Sequence, residues 1–256
     1  MHAHCRRQTL IRICFVGLTS ILISTRAMAQ HEGDVWIGQT ASHRLARGGF
    51  DPESQLIYLP PSDGVLHGWA DNRPGFDRVL NPLPDRDLYP LDPGADIYLE
   101  ITAIDRAFRL IDTSFRIYDE PGEAARLGDQ NLHTHLIFHI NSDDPLFDPD
   151  ACIYEANFVL RDDGAAQHQT SSPFTMLFTN VAVEPLQGDF DQDRDVDLDD
   201  LAALTACLGG PERLPDVSNH PTATCPTECI NGFDLDRDLD VDLRDVSLFM
   251  EIFDGS

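Results

Sequence analysis

Residues 188–201, GDFDQDRDVDLDDL, place seven aspartates within twelve positions, most of them on every second residue. Like charges at that density repel one another, and the run folds only if something neutralises it. The pattern recurs, with Asp234 standing 45 residues after Asp189. Counted from those residues as position 1, both copies carry side-chain oxygens at positions 1, 3, 5, 7, 9 and 12. They are Asp189, Asp191, Asp193, Asp195, Asp197 and Asp200 in the first, and Asp234, Asp236, Asp238, Asp240, Asp242 and Asp245 in the second. This is the ligand spacing of a calcium loop, in which a tight turn gathers alternate oxygens around a hard cation. The alternatives are weaker in kind. A solvated acidic repeat does not explain two in-phase copies, and a strand would line one sheet face with repelling charges.

Each run leads into an apolar pattern of helical period. LDDLAALTACLGG carries Leu201, Leu204 and Leu208, and LRDVSLFMEIF carries Val246, Phe249, Met250 and Phe253. Gly209-Gly210-Pro211 ends the first helix. Position 7 of such loops ligates through its backbone carbonyl, so the side chains of Asp195 and Asp240 are not required as ligands. Position 8 is apolar in both copies, Val196 and Val241, which suits pairing of the loops across a small core. Position 6 is Arg194 and Leu239 rather than glycine, which strains the turn. Position 12 is aspartate, shorter in reach than the usual glutamate.

GDFDQDRDVDLDDLAALTACLGG and GFDLDRDLDVDLRDVSLFMEIF resemble a type I dockerin, a duplicated calcium loop–helix module, over about residues 188–254. The resemblance implies two calcium ions and a cohesin module or cell-surface scaffold as partner. It places partner recognition at loop positions 10 and 11, here Leu198, Asp199, Leu243 and Arg244. Asp189 and Asp234 directly follow Gly188 and Phe233, so no helix is expected to enter either loop. The insert between the repeats is long. Cys207 is expected to pair with Cys225 or Cys229 across it, leaving Cys152 to the remaining cysteine or free. Zinc at Cys225 and Cys229 lacks partner ligands nearby.

The preceding part, 30–186, reads differently. Short runs of period-two character, at 34–39, 55–59, 97–104, 132–140, 153–160 and 174–181, alternate with turn formers such as PPSDG, NPLPD and RDDG. That pattern predicts a mainly β chain: an antiparallel β-sandwich followed by the small helical calcium module of 187–256. Residues 60–96 are expected to be an irregular crossover or functional loop. The chain begins with MHAHCRRQTLIR, an apolar run, and Ala27-Met28-Ala29, the build of a secretory signal peptide over 1–29. The apolar run is too short for a membrane anchor. Export agrees with the four cysteines that follow the signal. A net charge of −26, with 18 arginines and no lysine, argues against nucleic acid and anionic membranes as partners and favours cations or basic protein surfaces.

LHTHLIFHI over 132–140 is the sharpest feature of the first region. On one strand, His133, His135, Ile137 and His139 share a face, and Leu132, Thr134, Leu136, Phe138 and Ile140 the other. His133 and His135 are therefore candidate zinc ligands, completed by His31, His43 or His67, against the simpler reading of a solvated polar face. DVWIG, GWADNRPGFD, HTHL and SSPFTMLFTN are similar to segments of exported bacterial surface proteins controlled by a zinc-uptake repressor, which implies a zinc-linked surface role. An enzyme is the rival reading. Glu100, Asp105, Glu120, Glu155 and Asp162 include enough carboxylates for a glycosidase pair acting on polysaccharide, with no motif marking any two. Trp36 and Trp69 are expected in or beside the core rather than as sugar platforms.

Overall fold

The computed structural model describes residues 33–52, 55–62, 64–182, 188–192, 195–218 and 220–253. The expected signal peptide, His31, Asp193 and Arg194 lie outside the described residues. The chain is mainly β. In chain order the strands are β1 (Val35–Gln39), β2 (Leu45–Gly49), β3 (Leu56–Tyr58), β4 (Gly68–Asp71), β5 (Phe76–Arg78), β6 (Asp96–Ile104), β7 (Phe108–Ile111), β8 (Ile117–Tyr118), β9 (Ala124–Asp129), β10 (His133–Thr134), β11 (Ile137–Asn141), β12 (Ile153–Asp162) and β13 (Phe174–Thr179). They form three sheets, ordered β10-β5-β1-β2, β4-β11-β7-β8 and β3-β13-β12-β6-β9.

Alternation builds these strands. In β12 the side chains of Tyr154, Ala156, Phe158 and Leu160 go inward in turn, and in β13 those of Phe174, Met176 and Phe178 do so. The inward faces of all three sheets share one core cluster. Phe178 joins the second and third sheets, with its ring centroid 4.5 Å from Phe108 and 4.9 Å from Phe138. The sheets are not wholly antiparallel as expected: β1 pairs β5, and β13 pairs β3, in parallel. Parallel partners need long crossovers, which period-two patterning does not register. The stretch expected to be irregular, 60–96, supplies β4 and β5 to two of the sheets.

The 132–140 run is not one strand. His133–Thr134 pairs with β5 in the first sheet, and Ile137–Asn141 pairs with β4 and β7 in the second. The chain changes sheets at 135–136. Leu132, Leu136, Phe138 and Ile140 are buried as the alternation predicts, but His139 is buried too, because β11 is covered on both faces.

Among the described residues three helices follow: α1 (Leu198–Cys207), α2 (Pro226–Phe233) and α3 (Leu243–Ile252). They surround a second, smaller core of Leu204, Cys207, Cys229, Phe233, Val241 and Phe249, against which Val196 and Phe190 pack. α2 overturns, for the second loop, the expectation that no helix enters it, since α2 runs directly into that loop and Asp234 is its C-cap. Its start is set by Pro226 at the first turn and by Glu228, whose carboxylate accepts the N–H groups of Thr224 and Cys225. The disulfides are Cys207–Cys229 and Cys152–Cys225. The first joins α1 to α2; the second staples α2 to the start of β12. Thr179 and Thr227, and Asn231 with the Ala182 carbonyl, add hydrogen bonds across the same junction. No helix among the described residues is long and apolar enough to cross a membrane.

Candidate metal centre

The described residues of the two acidic runs make matching contacts. In the first, Asp200 sits 1 % exposed at the start of α1; its Oδ1 accepts the Phe190 N–H at 2.6 Å and its Oδ2 the Asp197 N–H at 2.9 Å. In the second, Asp245 is fully buried at the start of α3; its Oδ1 accepts the Leu235 N–H at 2.8 Å and its Oδ2 the Asp242 N–H at 2.9 Å. Position 12 thus ties position 2 to position 9 in both copies. Asp197 and Asp242 are the helix N-caps, accepting from Asp199 and Arg244. Gly188 opens the first loop at φ +94°, where a Cβ would meet Ile252 at 2.8 Å, so glycine is required there.

Carboxylate oxygens converge in the same way twice. Asp189, Asp191 and Asp200 bring ligand atoms within 4.8 Å of one another, as do Asp195, Asp197 and Asp200. Asp234, Asp236 and Asp245, and Asp240, Asp242 and Asp245, repeat both trios. Positions 1, 3 and 12 form one and positions 7, 9 and 12 the other, with the position-12 aspartate common to both. Asp195 and Asp240 therefore bring side-chain oxygens near the carboxylates of positions 9 and 12, beyond the backbone role expected of position 7. Asp238 is exposed and joins neither trio.

The second loop is electrostatically tense. Burial, with Asp245 adding to it, pushes the Asp234 carboxyl up to about 6, against N–H donors from Asp238 and Leu239 that act the other way. Asp236 and Asp240 also move up, through burial first, with neighbouring aspartates adding to it and the Glu212 N–H opposing it at Asp240. Asp240 is 3 % exposed; its Oδ2 accepts the Glu212 N–H at 2.6 Å, and its Oδ1 has no hydrogen-bond donor. Asp236 Oδ1 is likewise buried without one, and its Oδ2 faces the Arg244 guanidinium at 3.0 Å. That guanidinium is 73 % exposed and screened by solvent, so it offsets little of the charge. Buried anionic oxygen, oxygen-only donors and short mutual reach fit a hard divalent cation. Leu239 takes φ +71°, the left-handed turn that position 6 demands of a residue without glycine's freedom.

Of the expected partner-reading residues, Leu198 is 65 % and Leu243 76 % exposed. Each stands at the first position of its helix, with exposed Asp199 and Arg244 beside it. The histidines are less gathered. His133 and His135 meet edge to face at 5.4 Å, with Asp77 Oδ1 3.7 Å from His133 Nδ1 and the Asn72 carbonyl 2.9 Å from His135 Nδ1. Among the described residues no trio of metal-ligating side chains includes either. His139 binds the His67 carbonyl through Nε2, and burial lowers its pKa. His220 lies beside Cys207 and Cys229, whose sulfurs are joined in a disulfide and offer no thiolate.

Asp105 and Glu120 line one cleft of about 370 Å³ with Arg106, Arg109 and Asp144. Asp105 is committed to the Glu155 N–H at 2.7 Å, Glu100 pairs with Arg161, and Asp162 is buried in hydrogen bonds. Trp69 stacks on Phe147 at 5.8 Å against the core. Two contributions to the loops were missed in the sequence. The Glu212 N–H comes from the insert and carried no sequence signal; the helix entering loop two was signalled by Pro226 and Glu228. No family model, curated protein or solved structure matches this chain.

Proposed function

We propose that this chain is an exported, calcium-binding attachment protein. Its dockerin-like loop–helix pair docks a β-sandwich region onto a cohesin-type module or cell-surface scaffold. The observation that carries this reading is the repetition of the two carboxylate trios at the same loop positions, 45 residues apart, each directly ahead of a helix. Asp189, Asp191, Asp195, Asp197 and Asp200 would hold one calcium ion, and Asp234, Asp236, Asp240, Asp242 and Asp245 the other. Bound calcium supplies the positive charge that the clustered carboxylates need. Asp200 and Asp245 then lock each loop to its helix through the bonds to positions 2 and 9, which sets the attitude of α1 and α3. Leu198 and Leu243, exposed at equivalent helix starts, supply apolar anchors for a partner. The signal-like N-terminus and two disulfides support an extracytoplasmic setting.

The experiment is a calorimetric titration of the full mature chain with a cohesin-type module, in calcium and in chelator, for the native protein and for Leu198→Asp and Leu243→Asp. Calcium-dependent binding weakened at least about tenfold by either substitution supports docking through this face. Binding of equal strength in chelator, or no binding to any cohesin class, contradicts it.

A further inference from the structure

A second candidate cation site lies in the β region and shares no residue with the acidic loops. Asp162 ends β12 facing inward, with its side chain fully buried. Its Oδ1 accepts the N–H groups of Asp96 and Gly164 at 2.9 and 2.8 Å, and its Oδ2 accepts the His168 N–H at 3.0 Å. Three backbone N–H groups donate to its two oxygens, so the carboxyl serves as an acceptor. The 2.7 Å contact from His168 Nδ1 to Asp162 Oδ2 is therefore a donation from Nδ1–H. The Asp92 N–H, which donates to Nε2, makes that nitrogen the acceptor of the ring.

Nε2 points at Asp92. The Asp92 N–H is 3.5 Å away, at the outer limit of a hydrogen bond, and Asp92 Oδ2 is 3.6 Å away. His43 Nδ1 lies 3.2 Å from the same oxygen. A buried imidazole thus turns its lone pair toward a carboxylate flanked by a second imidazole. A ring nitrogen oriented by a carboxylate on the opposite nitrogen is how metal-bound histidines are held. Ligand–ligand edges of 3.2 and 3.6 Å suit bond lengths of about 2.0–2.2 Å around a tetrahedral ion.

We propose that His168 Nε2, Asp92 Oδ2 and His43 bind a zinc-class cation, with Asp162 as the positioning residue for His168. Mixed imidazole and carboxylate donors suit that class of metal over calcium. The three ligands do not yet close into a mutual trio. Binding requires the His43 ring, 69 % exposed on a left-handed residue of φ +60°, to turn toward His168. Exposure on the His43 side leaves the fourth position to water.

The test titrates zinc into the full mature chain held in excess calcium, so that the acidic loops are occupied, with cobalt(II) absorption as the report on geometry. One equivalent should bind with tetrahedral cobalt bands. His43→Ala and Asp92→Asn, both at exposed side chains, should each weaken it about tenfold or more, and His133→Ala/His135→Ala should leave it unchanged. Absence of zinc uptake overturns the proposal. So does uptake that survives both His43→Ala and Asp92→Asn, or uptake lost in the His133→Ala/His135→Ala protein. A His168 ring that nitrogen NMR shows doubly protonated at neutral pH, unchanged by added zinc, overturns it as well.

Discussion

Asp240 reaches back from the second loop to take the Glu212 backbone N–H on Oδ2 at 2.6 Å, leaving Oδ1 buried with no donor. The insert thereby fixes one oxygen of a carboxylate whose other oxygen is the one offered to the proposed calcium ion. Asp240→Asn keeps an acceptor for Glu212 and removes the buried charge. The substitution should stabilise the chain in chelator by about 1 kcal/mol and weaken calcium binding at this loop by about tenfold or more. Thermal unfolding in the two conditions, together with a calcium titration, reads both signs. A loss of stability in chelator would show that the unpartnered oxygen carries no strain.

The pH dependence follows from Asp234, whose carboxyl is pushed up to about 6 by burial. Its pKa in the folded chain lies above its unfolded value of about 4, so its contribution to stability is present below about pH 4 and is lost as pH rises through about 6. Asp236 and Asp240 shift the same way. In chelator, α3 should therefore exchange its amide hydrogens more slowly at pH 4.5 than at pH 7, once corrected for intrinsic exchange. Calcium competes with the Asp234 proton, so its affinity should fall about tenfold between pH 7 and pH 5. A pH-independent affinity would remove Asp234 from the ligand set.

Leu239 holds φ +71° where the loop needs a left-handed residue. Leu239→Gly removes a cost of about 1–2 kcal/mol and adds about 0.5–1 kcal/mol of chain entropy, a net gain of about 0.7 kcal/mol. Calcium affinity at the second loop should rise about threefold, readable by calorimetry. A weaker affinity would mean that the half-buried Leu239 side chain matters more than its backbone.

Local features were legible in the sequence. The spacing anticipated the clustering of positions 1, 3, 7, 9 and 12 but not the exposed Asp238 at position 5, and the apolar period after each run anticipated α1 and α3. β6, β12 and β13 were visible because Ile97, Leu99, Tyr154, Phe158 and Phe178 alternate with outward residues. What failed was long-range. Alternation at His133–His139 cannot reveal that the chain changes sheets at 135–136, and β2 and β9 are hidden by the glycines and alanines of LARGG and AARLGD. α2 is eight residues with Gly232 inside it, and its strongest signals are the single residues Pro226 and Glu228. The Asp162–His168–Asp92 chain joins three separate loops and strand ends, which no local motif marks.

The Cys152–Cys225 disulfide spans 73 residues and ties the loop–helix region to β12. Cys152→Ser/Cys225→Ser should cost about 4 kcal/mol through the freer unfolded chain, and the calcium requirement for ordering α2 should rise. Scanning calorimetry of the full chain in calcium checks the first, and hydrogen exchange of α2 the second. An unchanged unfolding temperature would show that the staple constrains little.

Ordering of the two acidic loops by calcium is tested most directly by hydrogen exchange across residues 188–253 of the full mature chain, with and without chelator, alongside a calcium titration. The predicted result is two ions bound, each more tightly than about 100 µM, with α1, α3 and both loops strongly protected only when the ions are present. Protection that is the same in chelator as in calcium, or fewer than two ions bound below millimolar concentration, would contradict the account.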